Sequence, residues 1–187
     1  MLILASASPR RQELLRNAGI AHLVRPANVL EEFLPGESPE ACVERLARSK
    51  ARAVFDQRPV HQAQYLVLGA DTVVAVDNEL LGKPVNQADA ARMLRLLSGR
   101  EHRVITGICL IGSLRGEDVR HEITRVTVSP LTEHEIAFYL ATGEPMDKAG
   151  AYAIQGQASR WIPRIEGCYF NVVGLPIALV YRMLNAQ

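Results

Sequence analysis

Short apolar runs alternate along this chain with stretches whose apolar residues return every three or four positions, a pattern that predicts an α/β fold on a central sheet. Residues 2–5 read as a strand. Ser8 and Pro9 then open a helix as N-cap and first helical residue, and Gly19 ends it. Ser38 and Pro39 open a second helix that reaches Phe55, and Asn86 opens a third that runs to Leu97 and closes at Gly99. Thr132 with Glu135 makes a capping box for a fourth, which Gly143 terminates. Strands are expected at residues 65–76, 102–111 and 119–129, the last two joined as a hairpin by the turn-rich residues 112–116. A final strand is expected to end at Gly174, Leu175 and Pro176. There a C-terminal helix begins, with Ile177, Val180, Tyr181 and Leu184 at helical spacing, and packs back onto the sheet. No internal repeat or low-complexity stretch interrupts the series.

Composition narrows the picture in three ways. The chain has 187 residues, 48% of them apolar, which suits one domain spanning residues 1–187. Its 21 Lys plus Arg nearly balance 20 Asp plus Glu, so no overall basic field would hold it on a nucleic acid or an anionic membrane. Affinity for phosphate must be local. The opening apolar run breaks at Ser6, and no later segment approaches ~20 uninterrupted apolar residues, so a cytoplasmic protein is expected. Cys42, Cys109 and Cys168 form no CxxC pair and read as buried free thiols. The histidines at 22, 61, 102, 121 and 134 show no metal-ligand spacing, and GxSxG, HExxH, Walker A and GxGxxG patterns are all absent. His102 either touches a substrate or is a satisfied core or surface histidine.

Four segments depart from the structural pattern in ways that carry chemistry. Arg10 and Arg11 lie in the first turn of the first helix, where the helix dipole disfavours cations. They are either solvated surface charge or, with Ser6, Ala7 and Ser8 beside free helix N–H groups, a seat for phosphate oxygens. Lys50 falls inside the apolar stripe formed by Val43, Leu46, Ala47 and Val54, and either meets a specific partner or snorkels to solvent. Before that helix, Glu31 and Glu32 form an acidic loop closed by Pro35 and Gly36. Asp71 is a lone carboxylate in an apolar strand, preceded by Gly69, where another backbone or a ligand can come close. It requires a metal, a cation or hydrogen-bond donors, and is either part of metal-assisted phosphate chemistry or a structural partner of Lys83. Residues 143–156 form a glycine-rich loop bearing both charge signs and ending in Gln155, open to a ligand near the backbone.

In their order and spacing, SASPRRQELL, the acidic loop before ERLARSKA, GADTVV, GKP, SGREHRVITG, GEPMDKAGAYAIQG and NVVGLP resemble the Maf family over nearly the whole chain. DKAGAYAIQG downstream of GADT is the specific part of that match. The resemblance implies an inosine triphosphatase-like α/β fold, a mixed central sheet flanked by helices with a deep cleft between two lobes, and a homodimer. It also implies hydrolysis of nucleoside triphosphates at the α-phosphate, assisted by Mg²⁺ or Mn²⁺, to a monophosphate and pyrophosphate. Asp71 matches the general base, Glu31 with Asp71 the metal ligands, and Ser8, Arg11, Lys50, Lys83 and Lys148 the residues that hold the triphosphate. Arg10, Thr72 and Gln155 match the branch selective for dTTP and UTP; the 7-methyl-GTP branch carries an aromatic residue, Gln and Glu there. An amide at Gln155 can donate and accept toward a uracil or thymine edge, whereas a carboxylate suits a methylated, positively charged guanine. Modified pyrimidine triphosphates are expected to be accepted as well. The alternatives are 7-methyl-GTP hydrolysis and a nucleotide-binding regulator of septum formation with little turnover. Leu30 stands where the family often has Asp, and Cys168 where Ser is common.

Overall fold

The computed structural model describes residues 1–57, 65–77 and 79–186; His61 lies outside these. The strands are β1 (Leu2–Leu4), β2 (His22–Val24), β3 (Leu66–Val76), β4 (Glu79–Leu81), β5 (Glu101–Gly112), β6 (Gly116–Thr127) and β7 (Arg164–Glu166). The helices are α1 (Pro9–Asn17), α2 (Pro39–Phe55), α3 (Gln87–Leu97), α4 (Glu133–Ala141), α5 (Tyr169–Val173) and α6 (Ile177–Asn185). Strand neighbours run β2-β1-β3-β5-β6-β7, with β4 paired to β3. β1 is parallel to β2 and β3, whereas β3/β4 and β6/β7 are antiparallel, so the sheet is mixed as expected.

The helix starts follow from their caps. Ser38 Oγ accepts from Ala41 N–H, Asn86 Oδ1 from Asp89 N–H, and Thr132 with Glu135 forms the reciprocal capping box. Ser8 is the N-cap of α1 without a side-chain cap bond. Its N–H instead donates to Ser6 Oγ at 3.2 Å.

Two compact units share the chain. The first comprises Met1–Asp71, Thr106–Glu122 and Gly174–Gln187. It contains a core cluster that includes Ile3, Ala47, Ala51, Val54, Val67 and Ile111. The second comprises Thr72–Ile105 and Ile123–Val173, around Val74, Leu81, Leu94, Leu97, Ile136, Tyr139 and Trp161. Inside the first unit, α2 lies directly on the sheet because two strand positions lack side chains. A Cβ on Gly69 would fall 2.1 Å from Ala47 O, and one on Gly107 2.3 Å from Val43 O.

Several elements differ from the sequence pattern. The apolar residues before Gly174 form the short helix α5 rather than a strand. That helical turn carries the buried Asn171, whose amide donates to Val104 O at 2.9 Å and Thr124 Oγ1 at 3.0 Å. The buried face of α6 is Leu179, Val180 and Met183, while Tyr181 is 62% exposed. β2, β4 and β7 each span 3 residues, too short for alternation to register, and their partners define them. β6 covers Gly116–Thr127, shifted toward the turn from the expected 119–129.

Candidate active site

The first unit brings together three of the sequence-predicted residues. Side chains alternate along a strand, so Asp71 shares the face of β3 that carries Gly69, and that face looks onto α2. Because Gly69 admits the helix backbone at Ala47 and Ala51, Lys50 is brought within reach of the strand. Lys50 Nζ stands 2.5 Å from Asp71 Oδ1 and 2.5 Å from Glu31 Oε1. Lys50 and Asp71 are only 7% and 6% exposed. The lysine therefore does not snorkel. It balances a carboxylate whose unpaired burial would cost several kcal/mol, and Asp71 takes its cation from Lys50. Glu31 lies in the irregular loop before α2, which Arg45 ties down by donating from Nε to Glu37 Oε1 at 2.7 Å and from Nη2 to the Glu32 carbonyl at 2.9 Å. No sequence signal marked Arg45, since its partners lie in a loop without periodicity.

Arg11 and Arg10 separate in role. Arg11 is buried, and its Nη1 donates to Ala70 O at 2.8 Å and Ser6 Oγ at 3.2 Å while Nε donates to Gly174 O at 2.8 Å. It thus fastens the start of α1 to the residue before Asp71 and to the chain entering α6. Burial lowers its pKa from the ordinary value, and the charges of Asp71 and Glu31 act in the opposite direction. Arg10 and Ser8 are half-buried. The anchoring acceptors, two backbone carbonyls and Ser6, could not be read from the sequence because they come from separate segments.

Thr72, Lys83, Lys148 and Gln155 belong to the second unit. Thr72 follows Asp71 on β3, half-buried and on the opposite face. Lys83 is exposed just after β4, and Gly150 N–H donates to Gly82 O at 3.1 Å, joining that turn to the loop carrying Lys148. Lys148 Nζ donates to Glu144 O at 2.8 Å and meets Asp147 Oδ1 at 2.5 Å. Gln155 is exposed, in a loop that folds into 3₁₀ turns at Glu144–Asp147, Ala149–Ala151 and Gln157–Trp161. Gly143, Gly150 and Ala151 in this stretch all have positive φ. His102 is a core residue: its Nε2 is 2.8 Å from Tyr152 OH, its Nδ1 has no hydrogen-bond partner among the described residues, and burial lowers its pKa to about 4. Cys42 and Cys109 are buried free thiols whose pKa values burial raises to about 11 and about 12, while Cys168 is half-buried rather than buried.

The donor set bears on a metal ion. Among the described residues no group of three or more His, Cys, Asp or Glu could hold one. Glu31 and Asp71 nevertheless direct two carboxylates at one point, now taken by the Lys50 ammonium. One or two carboxylates completed by substrate phosphate oxygens is a set that hard cations such as Mg²⁺ accept, so these residues fit. No helix among the described residues is long and apolar enough to cross a membrane.

Comparison with known proteins agrees with the motif order. A curated protein of Koribacter versatilis named dTTP/UTP pyrophosphatase is 58% identical over 184 residues, covering 98% of this chain and 93% of that protein. One of the same name from Symbiobacterium thermophilum is 52% identical over 186 residues, covering 98% and 92%. A solved nucleoside-triphosphatase (dITP/XTP pyrophosphatase) from Mycobacterium abscessus is only loosely alike, with a TM-score of 0.42 and 15% identity over 70% of this chain and 74% of that one. The model of the family described as Maf-like protein matches residues 1–187, and the chain belongs to that family.

Proposed function

We propose that this protein hydrolyses dTTP and UTP at the α-phosphate, releasing the nucleoside monophosphate and pyrophosphate. The buried Asp71, held against Lys50 beside Glu31, carries the reading. The names of the Koribacter and Symbiobacterium relatives supply the substrate class. In the proposed reaction a water oxygen bonds to the α-phosphorus, its proton passes to Asp71, and the bond from the α-phosphorus to the bridging oxygen breaks with pyrophosphate leaving. Lys50 touches Asp71 at Oδ1, which orients the carboxylate that takes the proton. Glu31 and Asp71 would hold the divalent cation, Mg²⁺ or Mn²⁺, which when bound neutralises charge on the phosphate oxygens. Ser8, Arg11, Lys50, Lys83 and Lys148 are given to the triphosphate, with cationic side chains opposing the charge that builds during displacement. Arg10, Thr72 and Gln155 are given to the choice of base. The reading extends to a homodimer acting in the cytoplasm.

Pyrophosphate release from dTTP, UTP, CTP, GTP, ITP and 7-methyl-GTP, with Mg²⁺ or Mn²⁺, tests it. Rapid turnover of dTTP and UTP is expected, and Asp71→Asn should lower it by about 10² to 10⁴. Turnover of no nucleotide overturns the reaction, and an Asp71→Asn enzyme within tenfold of wild type removes Asp71 from the role of base.

A further inference from the structure

The loop that carries Gln155 is held by a polar pair that the proposed chemistry does not use. Tyr139, fully buried on α4, donates its hydroxyl to Glu144 Oε1 at 2.7 Å and accepts from Ala153 N–H at 3.1 Å. The Glu144 carboxylate accepts from Gln157 N–H, at 3.1 Å to Oε1 and 3.3 Å to Oε2. The two amides that bracket Gln155, one two residues before it and one two residues after, are therefore both anchored on this pair. Between them Gly156 N–H donates to Ala153 O at 3.1 Å, closing the turn. Gly156 leaves the carboxylate its room, since a Cβ there would lie 2.1 Å from Glu144 Oε1. The same residue also holds Lys148, whose Nζ donates to the Glu144 carbonyl at 2.8 Å.

A charged acceptor for a backbone N–H is stronger than a neutral one, and a tyrosine hydroxyl that donates to a carboxylate becomes a better acceptor in turn. Burial and the Glu144 charge both push the Tyr139 hydroxyl pKa up, so it remains the donor across the working pH range. The Glu144 backbone N–H donates to Thr142 Oγ1 at 3.1 Å, which fixes the residue at its own end of the loop. The geometry of this arrangement sets where Gln155 and Lys148 sit.

We infer that Glu144, through Tyr139, is the positioning residue that sets Gln155 against the pyrimidine base and couples it to the phosphate lysine Lys148. The inference rests on the reading of Gln155 as the base-selecting residue. Loosening the pair should blunt discrimination between pyrimidine and purine triphosphates more than it slows the chemical step, because an amide that wanders loses its paired donor and acceptor contacts.

The experiment measures kcat and KM for dTTP, UTP and GTP in wild type, Glu144→Ala, Glu144→Gln, Tyr139→Phe and Gly156→Ala, with circular dichroism and melting as folding controls. Glu144→Ala should lower the dTTP-over-GTP ratio of kcat/KM by about tenfold or more, mostly through KM for dTTP. Glu144→Gln keeps an acceptor for Gln157 N–H and should recover part of the ratio. Gly156→Ala, which pushes a methyl into the carboxylate, should reproduce the Glu144→Ala pattern. Folded variants that all keep the wild-type ratio overturn the inference. If Glu144→Ala does not fold, Tyr139→Phe and Gly156→Ala decide by the same ratio. A wild-type enzyme that turns over neither dTTP nor UTP would instead defeat the proposed function. A selective wild type whose Gln155→Glu variant keeps its preference would defeat the role of Gln155 alone.

Discussion

Removing the Lys50 ammonium would leave the Asp71 carboxylate, at a position 6% exposed, without the cation that stands against its Oδ1. Lys50→Met should therefore destabilise the protein by about 3 kcal/mol, read as the change in urea unfolding free energy, because a broken buried pair leaves a charge uncompensated. Adding Asp71→Asn should return most of that loss, since the two residues are in contact and their effects are coupled. At Gln155 the expected result is a change of preference: Gln155→Glu should weaken dTTP turnover and raise that of 7-methyl-GTP, because a carboxylate has no N–H to offer the pyrimidine edge. His102 gives the pH prediction. Its folded pKa, about 4, lies below the ordinary histidine value of 6.5, so the unfolded chain takes up a proton first as pH falls. Stability contributed by the neutral ring is full above about pH 6.5 and is lost on the way down to about 4, amounting to roughly 2 kcal/mol by pH 5. His102→Phe should flatten that part of the stability curve relative to wild type in denaturant titrations at pH 7 and pH 5.

Among the elements, the contact of α2 with β3 and β5 decides the site. Gly69 and Gly107 allow it, and the nearest atoms that an added Cβ would strike are backbone atoms of α2, which cannot rotate away. Gly69→Ala should cost about 3 kcal/mol by overpacking and also separate Lys50 from Asp71, so activity falls further than the melting temperature alone accounts for. The capping box of α4 offers a milder check: Thr132→Ala should lower stability by about 1 kcal/mol with turnover of dTTP unchanged. The element boundaries that were legible in the sequence are those with local chemistry behind them. Ser38, Asn86 and Thr132 cap where expected because the cap is a bond between neighbours in the chain. The helix at Tyr169–Val173 was not legible, since its Val172 and Val173 favour a strand locally while Asn171 is fixed by acceptors from β5 and β6.

For the whole molecule, binding and folding are linked, so a non-hydrolysable dTTP analogue with Mn²⁺ should raise the unfolding free energy by about 2.7 kcal/mol at a hundredfold excess over its Kd. Gln155→Glu should reduce that gain at the same ligand concentration, and an analogue of GTP should give little in the wild type. Each compact unit is assembled from separated stretches of chain, the first from three and the second from two. Reading along the sequence therefore gave no direct view of which of the candidate residues share a unit.

The sequence by itself determined the alternation of strands and helices, the caps that start the helices, and the motif order that marks the family, because these depend on neighbours or on spacing along one segment. It also marked Asp71 as needing a partner, since a lone carboxylate in an apolar strand is costly wherever the chain goes. Only the tertiary structure decided that the partner is Lys50, that Glu31 reaches the same ammonium, and that Arg11 donates to Ala70, Ser6 and Gly174. These pairings join residues up to 163 positions apart. They are set by the close approach of α2 at Gly69 and by the anchoring of three chain segments on one guanidinium, which local pattern cannot encode.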